Sequence, residues 1–210
     1  NLVAAPVVGF ALVLVGLILA RALQGWVPAT APATRRTFVF SVALFNYGYV
    51  PLPLAMGLFD RDTVAVLFVH NVGVEAALWI FGLFFLAGVG LKTSWRRLLS
   101  PPLLAIIGTL ALDLAGGEVW VPATLRTTAR LLGACAIPLG LVLIGATMAD
   151  HAHEFVSARG GRVMVLACLL RLGVLPLAFL LAARWLPVPV ELKRVVLLQA
   201  AMPAAVFPIV

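Results

Sequence analysis

Charge is what this sequence lacks most. Only 11% of its 210 residues are Asp, Glu, Lys or Arg, while 63% are hydrophobic, a balance that excludes an ordinary soluble globular domain. Such a chain has lipid for its solvent. Fifteen Lys and Arg against eight acids give a net charge of +7, but these cations fall in short clusters between apolar runs. That pattern orients a protein in a membrane and does not build a nucleic-acid-binding face. The two cysteines, Cys135 and Cys168, lie in apolar runs without metal-type spacing, which excludes a disulfide framework and reads as buried thiols. An HExxH pair, a nucleophile elbow and paired acids are all missing, so no enzyme chemistry and no cofactor are implied. An initiator Met and a basic leader are missing too, and Val210 falls inside an apolar run. The chain is therefore expected to be a piece of a longer protein.

What it has is long hydrophobic runs. Apolar stretches near the ~20 residues that cross a bilayer lie at about Leu2 to Leu23, Phe38 to Phe59, Thr63 to Gly90, Leu103 to Leu114, Leu131 to Met148, Val163 to Leu186 and Val195 to Val210. The expected fold class is an all-α multi-pass membrane protein with seven spans. Pro, Gly and charge punctuate brief loops at Pro28 to Arg36, Asp60 to Asp62, Lys92 to Pro102, Ala115 to Pro122, Ala149 to Arg162 and Pro187 to Arg194, none of which could hold a soluble domain. Arg21, Arg35, Arg36, Lys92, Arg96, Arg97, Arg159 and Arg162 fall on one face, against Arg61, Arg126, Arg130, Arg184, Lys193 and Arg194 on the other. The first face is assigned to the cytoplasm. The amphipathic stretch Pro122 to Leu132 is expected to lie along the interface. Trp26, Trp79, Trp95, Trp120 and Trp185 mostly flank span ends, as an interfacial belt does.

Two of these spans are broken at membrane depth. One reads Phe45-Asn46-Tyr47-Gly48-Tyr49-Val50-Pro51-Leu52-Pro53, the other Ala200-Ala201-Met202-Pro203-Ala204-Ala205-Val206-Phe207-Pro208. Proline removes a backbone donor and clashes one turn back, so each segment should unwind inside the bilayer. Bare backbone there must be buried in protein or line a wet cavity. The breaks fall in the second and seventh spans. An odd offset of five reverses the direction of travel, which suits two inverted five-helix repeats whose broken helices cross at a carrier's binding site. The whole would then have about ten spans, of which this chain holds seven.

At these residues the sequence resembles the auxin efflux carrier family, which includes plant PIN carriers and bacterial permeases for malate, malonate and similar organic anions. The first break is similar to the family's Asn-x-Gly-aromatic-x-x-Leu-Pro at Asn46, Gly48, Tyr49, Leu52 and Pro53, with Pro51 standing where a small residue is usual. Met202 and Pro203 resemble the second break, and Pro208 the second proline of plant members. Further similarity lies in Ser100 to Gly108, in Ile137-Pro138 to Ile144-Gly145-Ala146, and in Arg171 followed five residues later by Pro176. The resemblance implies a multi-pass carrier of the inner (plasma) membrane, built as a homodimer, in which a mobile domain slides against a scaffold. Residues 1–91 would be the later part of the first repeat and 92–102 a cytoplasmic linker. Residues 103–148 would be scaffold helices, 149–162 a cytoplasmic loop, and 163–210 the second repeat's transport helices.

The candidate substrate site is Asn46, Tyr47, Gly48, Tyr49, Pro51, Pro53, Met202, Pro203 and Pro208. Asn46 offers a carbonyl and an amide, Gly48 lets a ligand approach the backbone, and half-helix N-termini favour an anion such as a carboxylate. His70, Asn71, Glu75 and Arg171 are candidates for coupling or substrate contact. A carboxylate at membrane depth must be paired or protonated. Asn71 lies one turn from Glu75 on the same face, with His70 a further possible partner. A buried Arg171 equally needs a partner, a carboxylate, a carbonyl or an anionic substrate, for which Glu75 or the substrate is the obvious choice. Asp113 reads as interfacial. Asp150-His151-Ala152-His153-Glu154 resembles a metal cluster only superficially, since residues two apart point to different helix faces. Proton or sodium coupling stays open, as do a symporter of the bile-acid type and a membrane sensor built on a carrier fold.

Overall fold

The computed structural model describes residues 3–27, 32–86, 101–150, 152 and 161–205. Every regular element among them is helical, as the composition requires: in lipid a helix satisfies its backbone within one segment. Helix α1 is Ala4–Leu23, α2 is Pro32–Ala43, α3 is Pro51–Leu58 and α4 is Arg61–Leu86. Then come α5, Pro101–Leu114, and α6, Ala123–Asp150. Helix α7, Gly161–Leu169, runs through a π turn, Leu170–Val174, into α8, Leu175–Trp185, and α9 is Val190–Ala200. Four stretches among the described residues are long and apolar enough to cross a membrane: Ala4–Trp26, Arg61–Phe81, Ala123–Asp150 and Gly161–Trp185. The chain is thus an all-α multi-pass membrane protein.

Two compact units divide it, one of Asn1–Leu98 with Ala158–Val210, the other of Leu99–Ser157. In the first, α1 packs along α4 at a seam that only glycine permits. A Cβ at Gly73 would come 1.7 Å from the Pro6 carbonyl oxygen, and one at Gly9 would come 2.3 Å from that of His70. Small residues let helix backbones approach this closely where lipid gives helices no hydrophobic reason to associate. Gly16 similarly faces the backbone of Ala43, where α2 ends. The buried core gathers Leu12, Leu67 and Val74 with Phe45, Leu175, Phe179 and Val195, so α1, α4, α8 and α9 share one interior.

The second unit is thinly packed. Helix α5 ends at a left-handed glycine, Gly116 at φ 66, whose N–H bonds Asp113 O at 2.9 Å, a conformation glycine adopts without a Cβ penalty. Helix α6 buries almost none of its apolar length.

Several boundaries differ from the sequence reading. Pro32 to Arg36 is helix and not loop, because proline at a helix start is pre-organised and its missing N–H is not needed there. The same holds for Val190 to Arg194, which open α9 behind Pro189. Pro122 to Leu132 is no separate surface helix: from Ala123 it continues unbroken through Pro138 into the span. Cys135 and Cys168 are free and exposed, since an apolar run in a membrane chain can face lipid as readily as protein. Pro208, most of Lys92 to Pro102, and His151, His153 and Glu154 lie outside the described residues.

Candidate functional site

Helix α2 stops at Ala43 and α3 starts at Pro51, leaving Leu44 to Val50 unwound. Helix α9 stops at Ala200, with extended chain following. The two unwound segments meet. Asn46 N–H donates to Pro203 O at 2.8 Å and Ala205 N–H to Leu44 O at 3.0 Å, an antiparallel bridge centred on Phe45 and Ala204. Each break thereby satisfies backbone groups that the other's prolines and its own unwinding set free.

Side chains brace the first break from α4. Asn71 Nδ2 donates to Tyr47 O at 2.7 Å, and the Tyr47 hydroxyl donates to Glu75 Oε2. Glu75 Oε1 accepts from Trp79 Nε1 at 2.8 Å. Asn71 and Glu75 stand one turn apart, as expected, and both reach Tyr47. Asn46 is buried, and its Oδ1 takes the Val50 N–H at 3.4 Å, just ahead of the half-helix that Pro51 opens. Pro51 and Pro53 have no N–H, and the Leu52 and Leu54 amides bond Gly48 O and Val50 O at 3.1 and 3.5 Å. Little of that half-helix N-terminus is left for a ligand. The Gly48 and Tyr49 amides remain, beside open space: a Cβ on Gly48 would meet nothing within 4 Å. Tyr49 and Pro203 are exposed, while Met202 and Pro51 are buried.

The second break is braced from the π turn. Arg171, 2% exposed, donates from Nε to Met202 O at 3.0 Å and from NH2 to Gln199 O at 3.1 Å. Its guanidinium carbon lies 5.1 Å from the Phe45 ring centre and 5.5 Å from that of Phe179. Arg171 therefore does not pair with Glu75. The carbonyls at the end of α9 and the two ring faces take the cation, while Tyr47 and Trp79 take the carboxylate. The π turn that carries Arg171 is a rare element that recurs at functional sites.

Gln199, a residue the sequence reading passes over, joins the two halves. Its Nε2 donates to Asn71 Oδ1 at 3.5 Å, and Asn71 is bonded to the first break. His70 Nδ1 lies 3.4 Å from the same oxygen. With Asn71 Nδ2 committed to Tyr47 O, that oxygen can only accept, so the neutral His70 ring carries its proton on Nδ1. His70 Nε2, Arg171 NH1 and Gln199 Oε1 are buried without a partner among the described residues. Natively unsatisfied groups of this kind mark places where something further binds or moves. The signal that could have found Gln199 is its type: an uncharged amide one turn before a membrane-depth break.

A family model described as membrane transport protein matches residues 88–210. No curated protein and no solved structure matches the chain.

Proposed function

The chain belongs to the membrane transport protein family, and from that premise we propose that it is a secondary transporter for a small organic anion, a carboxylate of the malate, malonate or auxin type. The observation that carries the reading is the bridge between the breaks. Unwound backbone at the crossing of two broken helices is where such carriers hold their substrate. The Gly48 and Tyr49 amides offer donors to a carboxylate, Asn46 shapes the turn that presents them, and Pro203 and Tyr49 border the open side. Asn71, Glu75 and Arg171 hold the crossing in shape from behind.

The division into two compact units supports an elevator-type cycle. In it the unit bearing the breaks moves, and residues 99–157 belong to a stationary scaffold that dimerises with its counterpart in the inner membrane. Inverted repeats would give the two breaks their opposite directions. The test is flux into proteoliposomes holding the purified protein, with a panel of dicarboxylates and indole acids. Saturable uptake of at least one, reduced by Asn46→Ala, is expected. Absence of flux for the whole panel from a folded, correctly inserted protein overturns the assignment.

A further inference from the structure

We infer that Arg171 is a built-in replacement for a coupling cation: its guanidinium occupies the cation site of the second break, so the transport cycle needs no sodium ion there. The inference rests on the reading of the chain as a carrier and names an ion, sodium at the second break, that does not energise it. In carriers with broken helices, unwound carbonyls and half-helix C-terminal ends are the groups that coordinate an inorganic cation. Here those groups are Gln199 O and Met202 O, at and just beyond the end of α9, and both are already taken by Arg171, at 3.1 and 3.0 Å. The aligned peptide dipoles of α9 put partial negative charge at that end, and the faces of Phe45 and Phe179 add two more electron-rich surfaces around the same charge.

Nothing else in the surroundings accounts for a buried cation. Arg171 has no carboxylate partner among the described residues, since the buried Glu75 is bonded by Tyr47 and Trp79. A guanidinium that served only to neutralise an acid would have been placed against one. Instead the chain departs from α-helical geometry at Leu170–Val174, and the side chain borne there reaches the last carbonyls of another helix. A free ion would enter and leave this position with each cycle. A tethered one cannot be released, so the position stays charged in every state.

The test is thermal melting of the purified full chain in detergent, at constant ionic strength, in choline, sodium or guanidinium chloride. Wild type is expected to melt at the same temperature in choline and in sodium. Arg171→Ala is expected to melt several degrees lower in choline and to recover about half of that loss in millimolar guanidinium, with a smaller recovery in sodium, because a ligand that binds only the folded state raises its melting point. Arg171→Lys keeps a tethered cation and should be indifferent to both ions, an arm that remains informative even if the alanine variant does not fold. Sodium stabilisation of wild type overturns the inference. So does an Arg171→Ala that melts alike in all three salts, or a Lys variant that responds to guanidinium. None of these readouts needs transport, so a protein that behaves as expected here yet moves no anion counts against the carrier assignment alone.

Discussion

The two breaks are made of the same materials, prolines beside small or polar residues, and are held in different ways. The first is held by several neutral and acidic side chains acting on different atoms: Asn71 on a carbonyl, Glu75 on a hydroxyl, Asn46 on an amide. The second depends on one cation acting on two carbonyls. Each arrangement follows from the part of the helix that is cut. The first break runs from the end of one helix into the N-terminus of the next, so it frees both a carbonyl, which Asn71 meets, and an N–H, which Asn46 meets. The second is approached through a C-terminus, where orphan carbonyls call for donors. Shared support should degrade gradually, and single support all at once.

The largest effect is therefore expected at Arg171. Arg171→Met leaves the Met202 carbonyl without its donor and the Gln199 carbonyl with the Met202 N–H alone, and by losing two bonds from a charged group should cost about 3 kcal/mol, more than any single substitution at the first break. A thermal or denaturant melt that ranks it below Asn71→Leu would break the comparison. Asn71→Leu should cost about 2 kcal/mol and loosen both breaks together, because Asn71 touches Tyr47 and Gln199 at once. Faster hydrogen exchange at the Asn46 and Ala205 amides, which form the bridge, is the measurement.

Glu75→Gln and Tyr47→Phe should each cost about 1 kcal/mol, and their double variant scarcely more than either, as expected of two ends of one contact. Flux driven by an imposed pH gradient should survive Glu75→Gln. Its loss, with substrate binding intact, would instead assign a coupled proton to Glu75. Asn46→Ala removes the long hydrogen bond to the Val50 N–H and should cost under about 1 kcal/mol, while reducing flux more than stability, which paired melting and uptake measurements will show.

The smallest effect is expected outside the crossing. Asp60 accepts the Thr63 N–H at 2.8 Å and an Arg194 N–H at 2.6 Å, linking the end of α3 to the start of α9. The Thr63 amide, then its hydroxyl, and Arg194 hold the Asp60 carboxyl below the ordinary aspartate range. A lowered acid contributes stability above its unfolded value and loses it as pH falls through the folded one. Wild type and Asp60→Asn should accordingly differ slightly at neutral pH and converge in acid.

The sequence made the breaks, most spans and the family legible because each rests on local chemistry: proline punctuation, apolar length, a short motif. Asn71 and Glu75 were legible for the same reason, as polar groups one turn apart in an apolar helix. For Arg171 a carbonyl was one of the partner types foreseen, but which group it takes was not legible. Opposite charge pointed to Glu75, whereas the groups that receive it are backbone carbonyls, which every residue possesses and no sequence distinguishes. Trp79 looked like one more interfacial aromatic until its indole N–H was found on Glu75. Gln199 carries no charge, and the starts of α2 and α9 were hidden behind prolines that looked like loop residues.

The π turn also sets a matter of phase. Successive residues of an α-helix advance by about 100° around its axis, and a π turn accommodates its wider loop by holding an extra residue. Deleting any one residue between Leu170 and Val174 would let residues 161–185 close into an uninterrupted helix with better local hydrogen bonding. The five residues of the wider turn sweep roughly the angle of four α-helical ones, so α8, with the buried Leu175, Phe179 and Ala183, would keep its phase relative to α7. The deletion would improve the element and remove the bulge that carries Arg171 to the second break. The extra residue in this helix therefore belongs to the crossing and not to the span.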